Sequence, residues 1–243
     1  MTLMVELCYP RPPVLDGQAI LAAARVLHPG VEWMNEDATE GPMMFAFPDL
    51  AHTYADGVNA PLGVALLPGS QAIAGDPERY DTSQTWDWDE ASAALQSSPH
   101  TVLVSELMGR VHPPKQRVEA FGAIVDVLIA LTEPAATWWP FSGRAMAPGD
   151  AVVSTLGGLV NVRMFNDADA PGNLLMDTIG LHALGLPDVE MYFSGLDPKR
   201  IAGLLYDVAH YLVDGNEIED GASIVQSRLE PDRAVLRLDP PTA

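Results

Sequence analysis

Residues 177–221, DTIGLHALGLPDVEMYFSGLDPKRIAGLLYDVAHYLVDGNEIEDG, decide how the rest of the chain is read. Leu174 to Leu184 and Val189 to Phe193 are apolar runs of strand type on either side of a Gly185-Leu186-Pro187-Asp188 turn. Asp197-Pro198 then places a capping side chain before a proline at the first helical position. Ile201, Leu204, Leu205, Val208 and Leu212 recur at helical spacing, and Gly215 terminates the helix. Two apolar strands and one amphipathic helix need further layers, which the remainder of the chain must supply.

Upstream, Leu3 to Tyr9 is an apolar strand stopped by Pro10, Pro12 and Pro13. Asp16 caps a helix over Gly17 to Leu27 with Ile20, Ala24 and Leu27 on one face. Strand-like pieces follow at Val31 to Asn35, Met43 to Phe47 and Leu62 to Leu67. Residues 69–85 are polar and mark an internal boundary. Beyond them come a short helix over Trp86 to Gln96, a strand over His100 to Leu107, and a helix from Pro113-Pro114 to about Thr132. The apolar residues of that last helix cover more than one face, so it belongs in the interior. Ala136 to Phe141 and Leu159 to Phe165 are expected strands, with the intervening SGRAMAPGDAVVSTLGG read as a loop. Ile218, Ile224 and Ala234 to Leu238 are expected to close the fold as short strands. The helices are too few for a regular parallel βαβ array. The expected fold is α+β, with antiparallel or mixed sheets and helices packed on one face. Two tandem ferredoxin-like halves are the specific arrangement this order suggests. Residues 1–243 are expected to form a single compact domain, with sub-halves 1–80 and 84–243.

Thirty-three acidic and 13 basic residues give a net charge of −20, in a chain that is 48% hydrophobic and 19% charged. That composition is globular. The charge argues against direct nucleic-acid binding and against anionic membrane surfaces, both of which need Lys and Arg. A basic partner is its natural complement, although acidity also serves solubility alone. Cys8 is the only cysteine. An intrachain disulfide is therefore ruled out and a reducing, cytoplasmic location is expected. No signal peptide is read at the N-terminus. The longest apolar run, Ala120 to Leu131, is too short to span a bilayer and contains Asp126.

The phosphate-loop, dinucleotide, zinc-protease and hydrolase signatures are absent from the sequence. None of the six histidines lies three or four residues from another, so no metal or cofactor is expected. Arg144, in the loop after Trp138-Trp139-Pro140, could grip a carboxylate or phosphate in a fork; the plainer reading is a structural arginine paired with one of the many acids. His182 stands among apolar residues five positions after Asp177, and its plainer reading is a half-buried histidine with one hydrogen bond. Arg144, Asp177 and His182 together form the candidate ligand site. Asp87, Asp89 and Glu90, with Glu217, Glu219 and Asp220, are the acidic patches that could face a basic partner.

Asp177, Thr178, Gly180 and Leu181, then Leu186, Pro187, Asp188, Val189 and Glu190, and finally Asp220-Gly221 follow a recurring pattern of strand, turn, strand, helix and acidic close. This pattern resembles the bacterial domain of unknown function numbered 4261, over about residues 165–226, with Trp138 to Arg144 as a weaker upstream echo. Some members resemble immunity proteins that accompany antibacterial toxins, including nucleases delivered by type VI secretion. The resemblance implies a cytosolic, non-enzymatic protein that caps a basic toxin domain and carries no catalytic residues. Two other classes compete with it. One is a small-molecule enzyme or binding domain built on Arg144, Asp177 and His182; the other is an accessory component of a secretion apparatus. The sequence leaves the oligomeric state open.

Overall fold

Strand β1 (Met4–Tyr9) alternates its two faces, and that alternation sorts the large sheet into two sides. Leu3, Val5, Leu7 and Tyr9 enter the main core, whereas Cys8 joins a smaller cluster with Tyr80, Ala91, Leu95, Ala136, Trp138 and Ala145. A computed structural model describes residues 2–36, 41–69, 80–218 and 234–239, the last of these for its backbone alone. Helix α1 (Gly17–Leu27) begins at Asp16, whose carboxylate accepts hydrogen bonds from the backbone N–H groups of Gln18 and Ala19. It buries Ile20, Leu21 and Ala24, while Leu27, its last residue, is exposed.

Strands β2 (Glu32–Trp33), β3 (Met43–Thr53) and β4 (Asn59–Pro68) follow, then the short helix α2 (Ala91–Gln96) and β5 (His100–Leu107). The long helix α3 (Pro114–Thr132) leads to β6 (Ala136–Trp139) and β7 (Arg144–Met146). These seven strands form one sheet in the order β2-β3-β4-β5-β1-β6-β7. Strands β8 (Asn161–Asn166), β9 (Asn173–Ile179), β10 (Asp188–Ser194) and β11 (Ala234–Asp239) form a second sheet in the order β11-β10-β9-β8, with helix α4 (Pro198–Val213) packed on it.

The α+β class with antiparallel sheets is the one adopted. Its strands divide as seven and four, and each recorded pairing is antiparallel. The parallel pair that a split βαβ half requires is therefore not found among the described residues. β5 lies between β4 and β1, so residues before and after the polar 69–85 stretch share one sheet; positions 70–79 lie outside the described residues.

Tertiary bonds explain where the elements depart from the sequence pattern. The expected helix from Trp86 begins only at Ala91, because the side chains just before it are held by other parts of the chain: Thr85 by β7, Trp86 by β8 and Asp87 by Arg144. The expected strand to Leu184 stops at Ile179. Gly180 takes φ +124°, where a Cβ would lie 2.0 Å from the carbonyl oxygen of Leu159, and residues Leu181–Leu184 form a 3₁₀ turn. The expected loop after Ser142 contains β7 and a second 3₁₀ turn, Val153–Thr155. Residue 224 lies outside the described residues.

Helix α3 is buried on more than one face, with Val118, Phe121, Ile124, Val125, Val127 and Leu128 all in the core, while Lys115, Glu119 and Leu131 are exposed. It carries two polar side chains inward. Arg117 forms a fork with Glu106 of β5, Nε to Oε1 at 2.9 Å and Nη2 to Oε2 at 2.6 Å. Nη2 also donates to the carbonyl oxygen of Ala183 at 3.0 Å, and Glu106 Oε2 accepts from the backbone N–H of Leu3 at 3.2 Å. Gly109 lies against this carboxylate, where a Cβ would come within 1.9 Å of Oε1. Asp126 accepts a hydrogen bond from the N–H of Val153 at 3.0 Å, and burial raises its pKa above the usual carboxylate range.

Replacing one member of a buried ion pair leaves an uncompensated charge. Arg117→Met is expected to lower unfolding free energy in urea by about 3–5 kcal/mol, and Glu106→Gln/Arg117→Met to recover most of that loss. Asp126 binds its proton more tightly folded than unfolded. Its contribution is therefore fully present at acid pH, below the unfolded pKa, and is lost as pH rises through the raised folded value. Thermal melts should show Asp126→Asn more stable than the parent protein at neutral pH, with the gap closing on acidification.

Candidate functional site

Arg144 enters the interior on β7, the last strand of the large sheet. One guanidinium nitrogen donates to the carbonyl oxygen of Val160 at 3.2 Å and to the hydroxyl of Tyr206, and the other pairs with Asp87. The guanidinium also lies over the Tyr206 ring at 5.9 Å, and the Tyr206 hydroxyl donates to Val160 at 3.1 Å. Burial raises the Tyr206 pKa, an effect that the nearby Arg144 charge partly offsets. Arg144 is thus a clamp between β7, the start of β8 and helix α4. Its carboxylate partner, Asp87, comes from the chain itself. Ser142, two residues earlier, is buried and donates to the carbonyl oxygen of Gly158 at 2.7 Å, a structural bond with no base in place to activate it.

Asp177 sits on β9 directly opposite Arg163 of β8, which grips it through Nε at 2.9 Å and Nη2 at 2.5 Å. By accepting these hydrogen bonds, Asp177 holds the Arg163 guanidinium more firmly protonated, and the Phe165 ring lies 5.3 Å from it. His182 occupies the 3₁₀ turn after β9, with Nδ1 at 3.1 Å from Asp188. Asp188 organises that turn. Its Oδ1 accepts from the N–H of Leu181 at 3.1 Å and from the Thr178 hydroxyl at 3.2 Å, while the N–H of Val189 donates to Thr178 Oγ1 at 2.8 Å. Arg163 holds Asp177 and Asp188 holds His182, while the bonds of Arg144 run to a different set of partners.

Among the acidic patches, Asp87, Asp89, Glu90 and Glu217 are exposed, with Asp87 engaged by Arg144. Glu219 and Asp220 lie outside the described residues. No group of three or more His, Cys, Asp or Glu among the described residues is placed to hold a metal ion. No helix among them is long and apolar enough to cross a membrane. A surface pocket of about 270 Å³ opens between Pro12, Pro13, Leu15, Met43, Pro68 and His100. The sequence reading passed over this pocket, because its lining comes from the ends of three strands and the loop after β1. It also missed Arg163 and Asp188, which hold Asp177 and His182. A strand-turn-strand hairpin places Arg163 and Asp177 opposite each other, but only once the register is known.

The family model described as Domain of unknown function (DUF4261) matches residues 177–238, the segment running from β9 to the end of β11. Over a longer span the chain is similar to the phosphomethylpyrimidine synthase of Natronomonas pharaonis, 27% identical over 231 residues. That alignment takes in 92% of this chain and 44% of the relative, so the chain spans less than half of that protein's length. No solved structure matches the chain.

Asp188→Ala would leave the Leu181 N–H and the Thr178 hydroxyl without their acceptor, and denaturant unfolding should register a loss of about 1–3 kcal/mol. Asp177→Asn breaks a half-exposed cross-strand pair and is expected to cost no more than about 1 kcal/mol.

Proposed function

We propose that the protein is a cytoplasmic immunity protein that binds a cognate antibacterial toxin, a basic nuclease domain, and blocks or distorts its active site. The observation that carries this reading is the net charge of −20 on a chain with only 13 basic residues. Among the described residues, four of those 13 (Lys115, Arg117, Arg144 and Arg163) are tied to carboxylates within the fold. A nuclease cleft built to hold a phosphate backbone is electropositive, and an acidic protein with exposed carboxylates is its electrostatic complement. Exposed Asp89, Glu90 and Glu217 are the described carboxylates of the patches that bear no bond to a basic side chain. The candidate ligand-site residues are engaged by neighbours in the chain, which supports a binding role over catalysis.

The test is co-expression with the product of the adjacent gene, followed by co-purification. Rescue of growth and a stable complex are the expected results; toxicity without rescue and separate elution would overturn the reading. Charge steering further implies an association rate that falls by roughly tenfold or more between low and high salt.

The second reading is a small-molecule-binding domain or enzyme, favoured by the similarity to a protein named phosphomethylpyrimidine synthase. Its site would include Arg144, Asp177 and His182. Against it, Arg144, Asp177 and His182 are each engaged by different partners in the chain.

A further inference from the structure

Four consecutive residues, Gln84, Thr85, Trp86 and Asp87, run through the seam where the last strand of each sheet lies open. β7 ends the seven-stranded sheet and pairs only with β6; β8 ends the four-stranded sheet and pairs only with β9 among the described residues. The segment reaches both edges. Thr85 Oγ1 accepts from the N–H of Ala145 on β7 at 3.2 Å, and Asp87 pairs with Arg144 on the same strand. Trp86 Nε1 donates to the carbonyl oxygen of Val162 on β8 at 3.0 Å. Gln84 Oε1 lies 3.5 Å from the N–H of Met164, the next outward-facing position on β8. The segment makes these contacts with side chains. It stands in the place of a neighbouring strand without adopting a strand's conformation.

An open strand edge is a template for pairing with another chain, and folded proteins cover such edges with loops, charges or bulges. We propose that Gln84–Asp87 is an edge guard, and that the partner it excludes is a second copy of this chain, pairing antiparallel through β8. An antiparallel β8–β8 contact is self-complementary about a two-fold axis, as a closed homodimer requires. It would also cover apolar surface on each face of this strand, where Met164 is 40% and Phe165 37% exposed. The net charge of −20 on each copy opposes that contact at low ionic strength, so the guard and the charge act in the same direction. The inference is independent of the proposed function.

The test compares Gln84→Ala/Trp86→Ala and Trp86→Phe with the parent protein by light scattering over a wide concentration range, at low and high salt. Far-UV circular dichroism checks the fold of each variant. Trp86→Phe removes the indole N–H while keeping an aromatic ring in place. The expected result is a doubling of mass with rising concentration, stronger at high salt and smaller in extent for Trp86→Phe. Adding Met164→Pro, which deletes an outward N–H at a position where an edge strand accepts proline, should restore the parent mass. Folded variants that keep the parent mass throughout would overturn the proposal, as would association that survives Met164→Pro. Loss of folded structure in Trp86→Phe would also overturn it, because the segment would then be part of the core and no guard.

Discussion

The Glu106–Arg117 pair is the interaction on which the rest of the arrangement depends. It fixes helix α3 against β5, and the same guanidinium holds the turn at Ala183 in the segment that carries the second sheet. Both side chains are almost wholly buried, so neither charge has water to fall back on. The fork geometry and the further bonds to Leu3 and Ala183 are what make this burial tolerable. A hydrophobic substitute could fill the volume, but would not specify the angle at which α3 meets the turn. The main core follows this junction, since it takes residues from the large sheet, α1, α3, the second sheet and α4 without a break.

Scarce cations serve a second purpose. Arg117, Arg144 and Arg163 each neutralise an acid inside or at the edge of the fold, and Lys115 bridges to Asp214 between the start of α3 and the end of α4. Each of these pairs is neutral, so the net charge of −20 comes from the acids that remain in excess.

Local chemistry made much of the framework legible. Asp16 and Asp197 cap their helices as expected, each accepting from the N–H two residues on, and Pro114 and Pro198 open helices in the positions their fixed φ favours. β5 spans the residues that its apolar pattern marks, and α4 buries the five residues picked out by helical spacing. The candidate site was less legible. His182 bonds to Asp188 because a 3₁₀ turn replaces the expected strand end, and that turn depends on Gly180 fitting against the carbonyl of Leu159, 21 positions earlier. Arg144 reads from the sequence as a loop residue, more plainly a structural arginine paired with an acid than a ligand grip. In the fold it sits on a strand, and one guanidinium nitrogen pairs with Asp87, an acid the sequence could not single out.

What the sequence determined by itself was most of the helices and strands, the α+β class and the acidic charge, because caps, proline positions, apolar periodicity and composition act over a few residues or none at all. Strand order, the seam guarded by Gln84–Asp87 and the pairing of each arginine were decided only in the tertiary structure. Those features join residues 11, 14, 57 and 76 positions apart, as in Arg117–Glu106, Arg163–Asp177, Arg144–Asp87 and Trp86–Val162. A carboxylate on a chain with 33 of them has no local signal naming its partner. In residues 177–221, local pattern specified the strands and the helix, while the distant Arg117 fixed where they dock.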